Sequence, residues 1–295
     1  MRPVVILGST GMIGSGVTSY ISRNLTQVIE VNRIGISIQP HNSVIKFDVL
    51  KNDIHELLGL IPRNSIILNF IGLIRHKIFE SQAESVFDSS LINTVFPVEL
   101  VKNSLNGNHK IIQIATDCVF SGKTGSYSES AQPDPIDLYG KSKSDGELVS
   151  ENLMTVRVSV VGKERDGHVE LMDWVLNSGK GKRISGYSNH LWNGVTSLQL
   201  GKVLCGIIRS DIFKPGTFHL VPRDRTNKYE LIKLIAEQGG RPDLVIEKIL
   251  DSKNVDRTLT TNFSEFNSIL WGSAGYGEIP KIDFMVEEYF SWLNT

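Results

Sequence analysis

Short apolar runs at positions 4–7, 27–31, 44–47, 66–71, 111–115 and 154–158 are rich in Val and Ile and have strand length. Between them, apolar residues recur at three- and four-residue steps. Val17, Tyr20, Ile21 and Leu25 share one helical face after the first run, and 86–103 and 141–151 also have helical length and polar faces. Alternation of this kind predicts an α/β fold: a doubly wound parallel sheet with helices on both faces and ligands at the carboxyl ends of its strands. Beyond residue 160 the pattern loosens. Segments 171–178, 196–210 and 229–238 read as helical and 217–220 as a strand, with Gly- and Asp-rich breaks at 162–167 and 179–186. We expect a dinucleotide-binding sheet domain over 1–160 with a return around 187–210. A smaller interleaved α/β substrate lobe would take 161–186 and 211–295.

Composition narrows the class without naming it. Of 295 residues, 40% are hydrophobic and 21% charged, which suits a packed globular chain. A net charge of −1 gives no overall pull toward nucleic acid or an acidic membrane. Cys118 and Cys205 are the only cysteines, too few for a disulfide framework or a cysteine-rich zinc site. No carboxylate or cysteine recurs at ligand spacing around His168 or His190, so no metal is expected. The run at 4–7 is too short for a signal-peptide core, and the stretch 66–74 is broken by Asn69. These features lead us to expect a cytoplasmic protein.

The first apolar run leads into Gly8-Ser9-Thr10-Gly11-Met12-Ile13-Gly14 and then a helix. Gly8 permits a sharp turn, Gly11 lets backbone approach a pyrophosphate, and Gly14 allows close helix–strand packing. The amides around Thr10, Met12 and Ile13, at the positive end of the helix, face the phosphates. The three-residue glycine spacing is the short-chain dehydrogenase variant of this turn. The second run ends Glu30-Val31-Asn32-Arg33, where Arg33 stands at the position of a 2′-phosphate ligand and Glu30 comes too early to hold a ribose. That favours NADP over NAD. Asp48, after the third run, reads either as a partner for the adenine amine or as a turn-former.

Tyr139 and Lys143 lie four residues apart, on one face of a helix. An ammonium there is expected to lower the phenol's pKa, so that Tyr139 passes a proton to a carbonyl oxygen as hydride reaches its carbon. Tyr229 and Lys233 repeat the spacing, but only Tyr139 follows a strand end bearing a hydroxyl, Thr116, across a Gly/Ser/Pro-rich loop. Thr116 would hydrogen-bond the same carbonyl.

The strings Thr116-Asp117-Cys118-Val119-Phe120-Ser121-Gly122, Tyr127-Ser128-Glu129 and the segment 133–147 resemble the dTDP-4-dehydrorhamnose reductase branch of the extended short-chain dehydrogenases/reductases. The resemblance runs from the glycine turn to about Gly162 and thinly to Leu220. It implies a Rossmann fold and NADP- or NAD-dependent reduction of the 4-keto group of a nucleoside-diphosphate 4-keto-6-deoxy sugar, with Thr116, Tyr139 and Lys143 as the catalytic set. It also implies that Asn69 and Gly72 contact the cofactor, that Asn93 supports the site, that Arg157 to Ser159 lie near the nicotinamide, and that the chain is a homodimer. Asp117, Cys118, Val119 and Phe120 become substrate candidates, with Trp192 and Asn193 as base or sugar contacts or, equally, a packed turn between lobes. Two features depart from the pattern: Cys118 replaces a usual tyrosine, and Ile74-Arg75-His76-Lys77 replaces a Tyr-Thr-x-Val-Asp string. Where 4,6-dehydratases carry Glu, this chain has Cys118, so dehydration is not expected. The alternatives are a 4-epimerase and a non-catalytic NAD(P)-binding regulatory subunit.

Overall fold

A computed structural model describes residues 2–167 and 169–295. The first half alternates as the apolar pattern predicts: β1 (Val4–Leu7), α1 (Met12–Asn24), β2 (Val28–Asn32), β3 (Ser43–Lys46), α2 (Ile54–Leu60), β4 (Ile66–Asn69), α3 (Ala83–Ser90), α4 (Phe96–Ser104), β5 (Lys110–Ala115), α5 (Leu138–Asp145) and β6 (Leu153–Arg157). After β7 (Val160–Val161) and α6 (Leu171–Leu176) come β8 (Arg183–Tyr187), β9 (His190–Trp192), β10 (Val195–Thr196), α7 (Ser197–Arg209) and β11 (Gly216–His219). The chain ends with β12 (Thr226–Asn227), α8 (Lys228–Gln238), β13 (Val245–Ile249), β14 (Val255–Asp256), α9 (Ser264–Ser273) and α10 (Ile282–Leu293).

Seven parallel strands form the main sheet in the order β3-β2-β1-β4-β5-β6-β11. Strand direction of travel reverses between β1 and β4, and a crevice opens there beyond their carboxyl ends. The central strands are fully buried, which is why they read as continuous Val/Ile runs and not as alternation. One core cluster packs α1, α7 and the small-lobe helices against one face. A second gathers Val5, Leu7, Phe47, Leu57, Phe96 and Leu100 on the other.

Three expectations need correction. Residues 216–219, expected in the smaller lobe over 211–295, form β11 on the main sheet, and β9, within the return expected around 187–210, lies in a small sheet with β12 and β14. The helix expected over 86–103 is two helices joined by a π-helical turn, Leu91–Val95. The helix expected over 141–151 begins earlier and ends at Asp145, because a Cβ on Gly146 would strike the Asn93 carbonyl and α5 packs there backbone to backbone.

Candidate active site

The turn after β1 has the geometry its glycines suggest. Gly8 has φ +78°, and a Cβ on Gly14 would collide with the Gly8 carbonyl, so the helix starts tight against the strand end. A Cβ on Gly11 would meet no protein atom nearer than Gly8 O, at 3.6 Å. Packing therefore does not require a glycine there, whereas close approach of a ligand does. The first turn of α1 has no acidic residue and no side-chain cap, and the Met12 and Ile13 amides take no described acceptor.

Around this cradle the candidates divide. Arg33 is exposed, with no hydrogen bond or ion pair among the described residues. Glu30 is fully buried and occupied by Ser37, the Ile38 and Gln39 amides and Asn42, so it shapes the loop after β2. Asp48 accepts from the Leu50 amide at 3.1 Å and sits 3.9 Å from Lys51, a turn arrangement. Asn69 is buried and bonded to Gln113 at 2.7 Å and to the Ile71 amide, so its side chain orders the turn after β4. A Cβ on Gly72 would lie 3.4 Å from Asn93 Oδ1 and 3.6 Å from Lys143 Nζ, which puts this backbone against the Lys143 ammonium.

Two elements bring Thr116, Tyr139 and Lys143 together. Asp137 caps α5, accepting from the Gly140 amide at 2.8 Å, and a Cβ on Gly140 would run into the Cys118 carbonyl. This contact seats α5 on the turn after β5 and brings the Tyr139 phenol beside the Thr116 hydroxyl, which accepts from the Cys118 amide at 3.1 Å. On the far side, Asn93 clamps the loop after β4 to α5: Oδ1 accepts from the Leu73 amide at 2.8 Å, and Nδ2 donates to Leu73 O and to Ser142 Oγ. Asn93 belongs to the π turn, an irregularity often found at functional sites.

The electrostatics differ from the sequence expectation. Burial, with Cys118 and Asp117 nearby, pushes the Tyr139 phenol above its ordinary pKa, while the contact with Thr116 opposes this. Burial also pulls the Lys143 ammonium down to about 8, against the charge of Glu147. Tyr139 thus holds its proton, as a donor must.

The substrate candidates are largely reassigned. Val119 and Phe120 have no exposed surface and form a small core with Tyr127 and Leu259, so their side chains support the loop. Asn193 exchanges two hydrogen bonds with the Leu259 backbone, at 2.7 and 2.8 Å, and joins the lobes. Trp192 is 3% exposed, with its indole N–H donating to Ser159 Oγ at 2.9 Å. Cys118 is half-buried, with its thiol pushed up to about 12 by burial and Asp117, which leaves it inert. The Asp117 carboxyl is raised by burial, against Arg257 and Lys228. His190 Nε2 meets Asp251 at 3.0 Å; His168 lies outside the described residues.

Three residues that the sequence reading did not name complete the pocket. Lys228, at the start of α8, lies with its ammonium 5.5 Å from the Trp192 ring and faces Asp117, Cys118, Arg257 and Glu170. Arg257 donates from Nε to Phe120 O at 2.9 Å. No described carboxylate comes within 4.0 Å of either cation. Glu170 stands opposite, 3.9 Å from His76 of the basic Arg75-His76-Lys77 turn, and Arg75 reaches Asp137 at 3.2 Å. A hollow of about 590 Å³ around Ser22, Gln27 and His41 opens at the amino ends of the strands, remote from Tyr139.

The strand order, the glycine turn and the Thr–Tyr–Lys arrangement define the class: an extended short-chain dehydrogenase/reductase with a Rossmann sheet. The chain belongs to the RmlD substrate binding domain family, whose profile matches residues 1–281. A methionine adenosyltransferase 2 subunit beta from Rattus norvegicus is 26% identical over 265 residues, 85% of this chain and 76% of that protein. A dTDP-4-dehydrorhamnose reductase from Aggregatibacter actinomycetemcomitans is 26% identical over 192 residues, 61% of this chain and 63% of its own. In fold, the chain is similar to a dTDP-4-dehydrorhamnose reductase from Bacillus anthracis solved in complex with NADP, with a TM-score of 0.73 and 19% identity over 100% of both chains. Among the described residues, no helix is long and apolar enough to cross a membrane.

Proposed function

We propose that this chain reduces the 4-keto group of a nucleoside-diphosphate 4-keto-6-deoxy sugar, using NADPH in preference to NADH. The observation that supports the reading is the gathering of Thr116, at the carboxyl end of β5, with Tyr139 and Lys143, one helical turn apart on α5. Gly8, Gly11 and Gly14, with the Thr10, Met12 and Ile13 backbone, would hold the cofactor's pyrophosphate; Arg33 would take its 2′-phosphate. When bound, the nicotinamide supplies hydride. Thr116 and Tyr139 orient the substrate carbonyl, and Tyr139 gives its proton to the developing alkoxide. Lys143 holds a positive charge beneath the phenol. Lys228 and Arg257 are cations with no described carboxylate within 4.0 Å, which suits a substrate carrying a diphosphate.

One observation favours a second reading. The relatives matching 85% of the chain bear the name of a methionine adenosyltransferase subunit, which fits a dinucleotide-binding subunit that serves another enzyme. Turnover separates the two. NADPH oxidation with dTDP-, UDP-, GDP- and CDP-linked 4-keto-6-deoxy sugars, abolished by Tyr139→Phe with NADPH affinity retained, is expected of a reductase. NADPH binding without turnover on any of the four would favour the subunit.

A further inference from the structure

Behind the catalytic set lies a buried ionic chain that hydride and proton transfer do not use. Glu147 stands four residues after Lys143, just past the end of α5. Its carboxylate receives Arg157 Nε at 3.0 Å on both oxygens and Nη2 at 2.5 Å on one. The two side chains are 11% and 7% exposed. Arg157 Nη1 lies 3.3 Å from His219 Nε2. Arginine only donates, so Nε2 is the acceptor, and the ring proton sits on Nδ1, which donates to Thr260 O at 2.8 Å. The His219 amide donates to Glu129, which also receives Thr261 Oγ1 and the Asn262 amide. The end of α5, β6, β11 and residues 260–262 are thus tied into one chain.

A buried ion pair is a weak way to hold a helix end, since apolar side chains of similar volume serve as well. The charge needs another reason, and Lys143 supplies one. No described carboxylate lies within 4.0 Å of its ammonium, and the groups facing it across the site are the Gly72 backbone and the neutral Asn93 amide. Tyr139 and Glu147 face it from its own helix and its extension, with Arg157 behind Glu147. We propose that Glu147 is a positioning residue for Lys143: clamped by Arg157 and His219, it fixes a negative charge about one helical turn below the lysine and keeps that ammonium protonated against the Gly72–Asn93 wall. This rests on the reading of Lys143 as the lysine that serves Tyr139. Burial brings Lys143 to about 8, so the counter-charge decides its state near neutrality.

Competitive labelling of the full chain with trace acetic anhydride, from about pH 6 to about pH 11, reads the acidity of Lys143 by peptide mass spectrometry without cofactor or substrate. In Glu147→Gln its proton affinity is expected to fall by about tenfold, or one pKa unit. A helix merely loosened by the substitution would expose the lysine and move it the other way, toward about 10.4. That upward move, or no move, overturns the proposal. Because Glu147→Gln leaves Arg157 unpaired and could fail to fold, Glu147→Gln combined with Arg157→Met is measured beside it and is expected to shift downward too. Glu147→Asp should restore the wild-type value. If none of these proteins turns over a keto sugar, the functional reading fails, while the labelling still decides the role of Glu147.

Discussion

Two helices carry the same Tyr–Lys–Glu spacing. In α5 and its extension it is Tyr139, Lys143 and Glu147; in α8 it is Tyr229, Lys233 and Glu237. In α8, Lys233 and Glu237 pair with each other at 3.8 Å, 51% and 56% exposed, and the Tyr229 backbone lies against Gly186. Around α5, Thr116 lies beside Tyr139, the Gly72 backbone beside Lys143 and Arg157 on Glu147, while Asn93 holds the helix through Ser142. Spacing puts side chains on one face; the chemistry depends on what the rest of the chain brings to that face. Helix α8 still contributes, through the residue just before the motif: Lys228 enters the pocket that α5 defines.

The strongest test of this contrast is at the phenols. Tyr139→Phe should lower keto-sugar reduction by about 10²–10⁴-fold, the range for loss of a positioned proton donor, with NADPH affinity little changed. Tyr229→Phe should leave steady-state rates unaltered. Comparable losses in both would remove the distinction between the helices.

The carboxylates come next. Glu147→Ala strands a buried guanidinium and should cost about 3–5 kcal/mol in denaturant unfolding, whereas Glu237→Ala, at an exposed pair, should cost less than about 1 kcal/mol. Equal costs would mean that the Arg157 pair is no better enclosed than a surface pair.

Lys228→Met tests the part that α8 does play. Loss of a charge-assisted contact worth about 1.5–3 kcal/mol should raise the KM for a nucleoside-diphosphate sugar by roughly ten- to a hundredfold while kcat changes little. Lys233→Met should change neither. A kcat effect as large as the KM effect would move Lys228 from binding to chemistry.

What could be read from the chain follows the range of the contacts involved. The parallel strands were legible because burial on both faces writes continuous apolar runs, and the meeting of Thr116 with Tyr139 and Lys143 because 116 to 143 is one local stretch read against a known pattern. Lys228, Arg257 and Glu170 carried no local signature. Lys228 and Arg257 follow small-lobe strands of two residues, β12 and β14, too short to write a periodicity, and Glu170 is the single residue ahead of α6. Val119 and Phe120 misled for the opposite reason: a string shared with the family marks packing under a site as readily as contact within it. Residues 216–219 were misplaced because β11 rejoins the sheet beside β6, a pairing across sixty residues that no local pattern encodes.

The smallest effect concerns how α5 is supported. His219 is 1% exposed and its pKa lies below 6.5, chiefly through burial, with Arg157 acting the same way and Glu129 opposing. A histidine whose folded pKa is depressed favours the neutral ring. As pH falls below 6.5 the unfolded chain takes up a proton that the folded chain refuses, so stability declines until the folded pKa is reached and then levels off. Protonation would also place a donor on Nε2, facing Arg157 Nη1, and so break the link behind Glu147. Glu129, with its pKa held below 4.5 against burial by Thr261 and the Asn262 and His219 amides, loses its contribution only at lower pH. Between pH 7 and pH 5, His219→Gln should therefore unfold with a flatter pH dependence than wild type, by at most about 1.4 kcal/mol per pH unit. A glutamine can accept from Arg157 and donate to Thr260 O without titrating. Parallel slopes in the two proteins would show that the folded ring titrates as the unfolded one does, and a steeper slope in His219→Gln would show a ring charged when folded; either outcome removes the depressed pKa, and the second removes the neutral acceptor at Nε2.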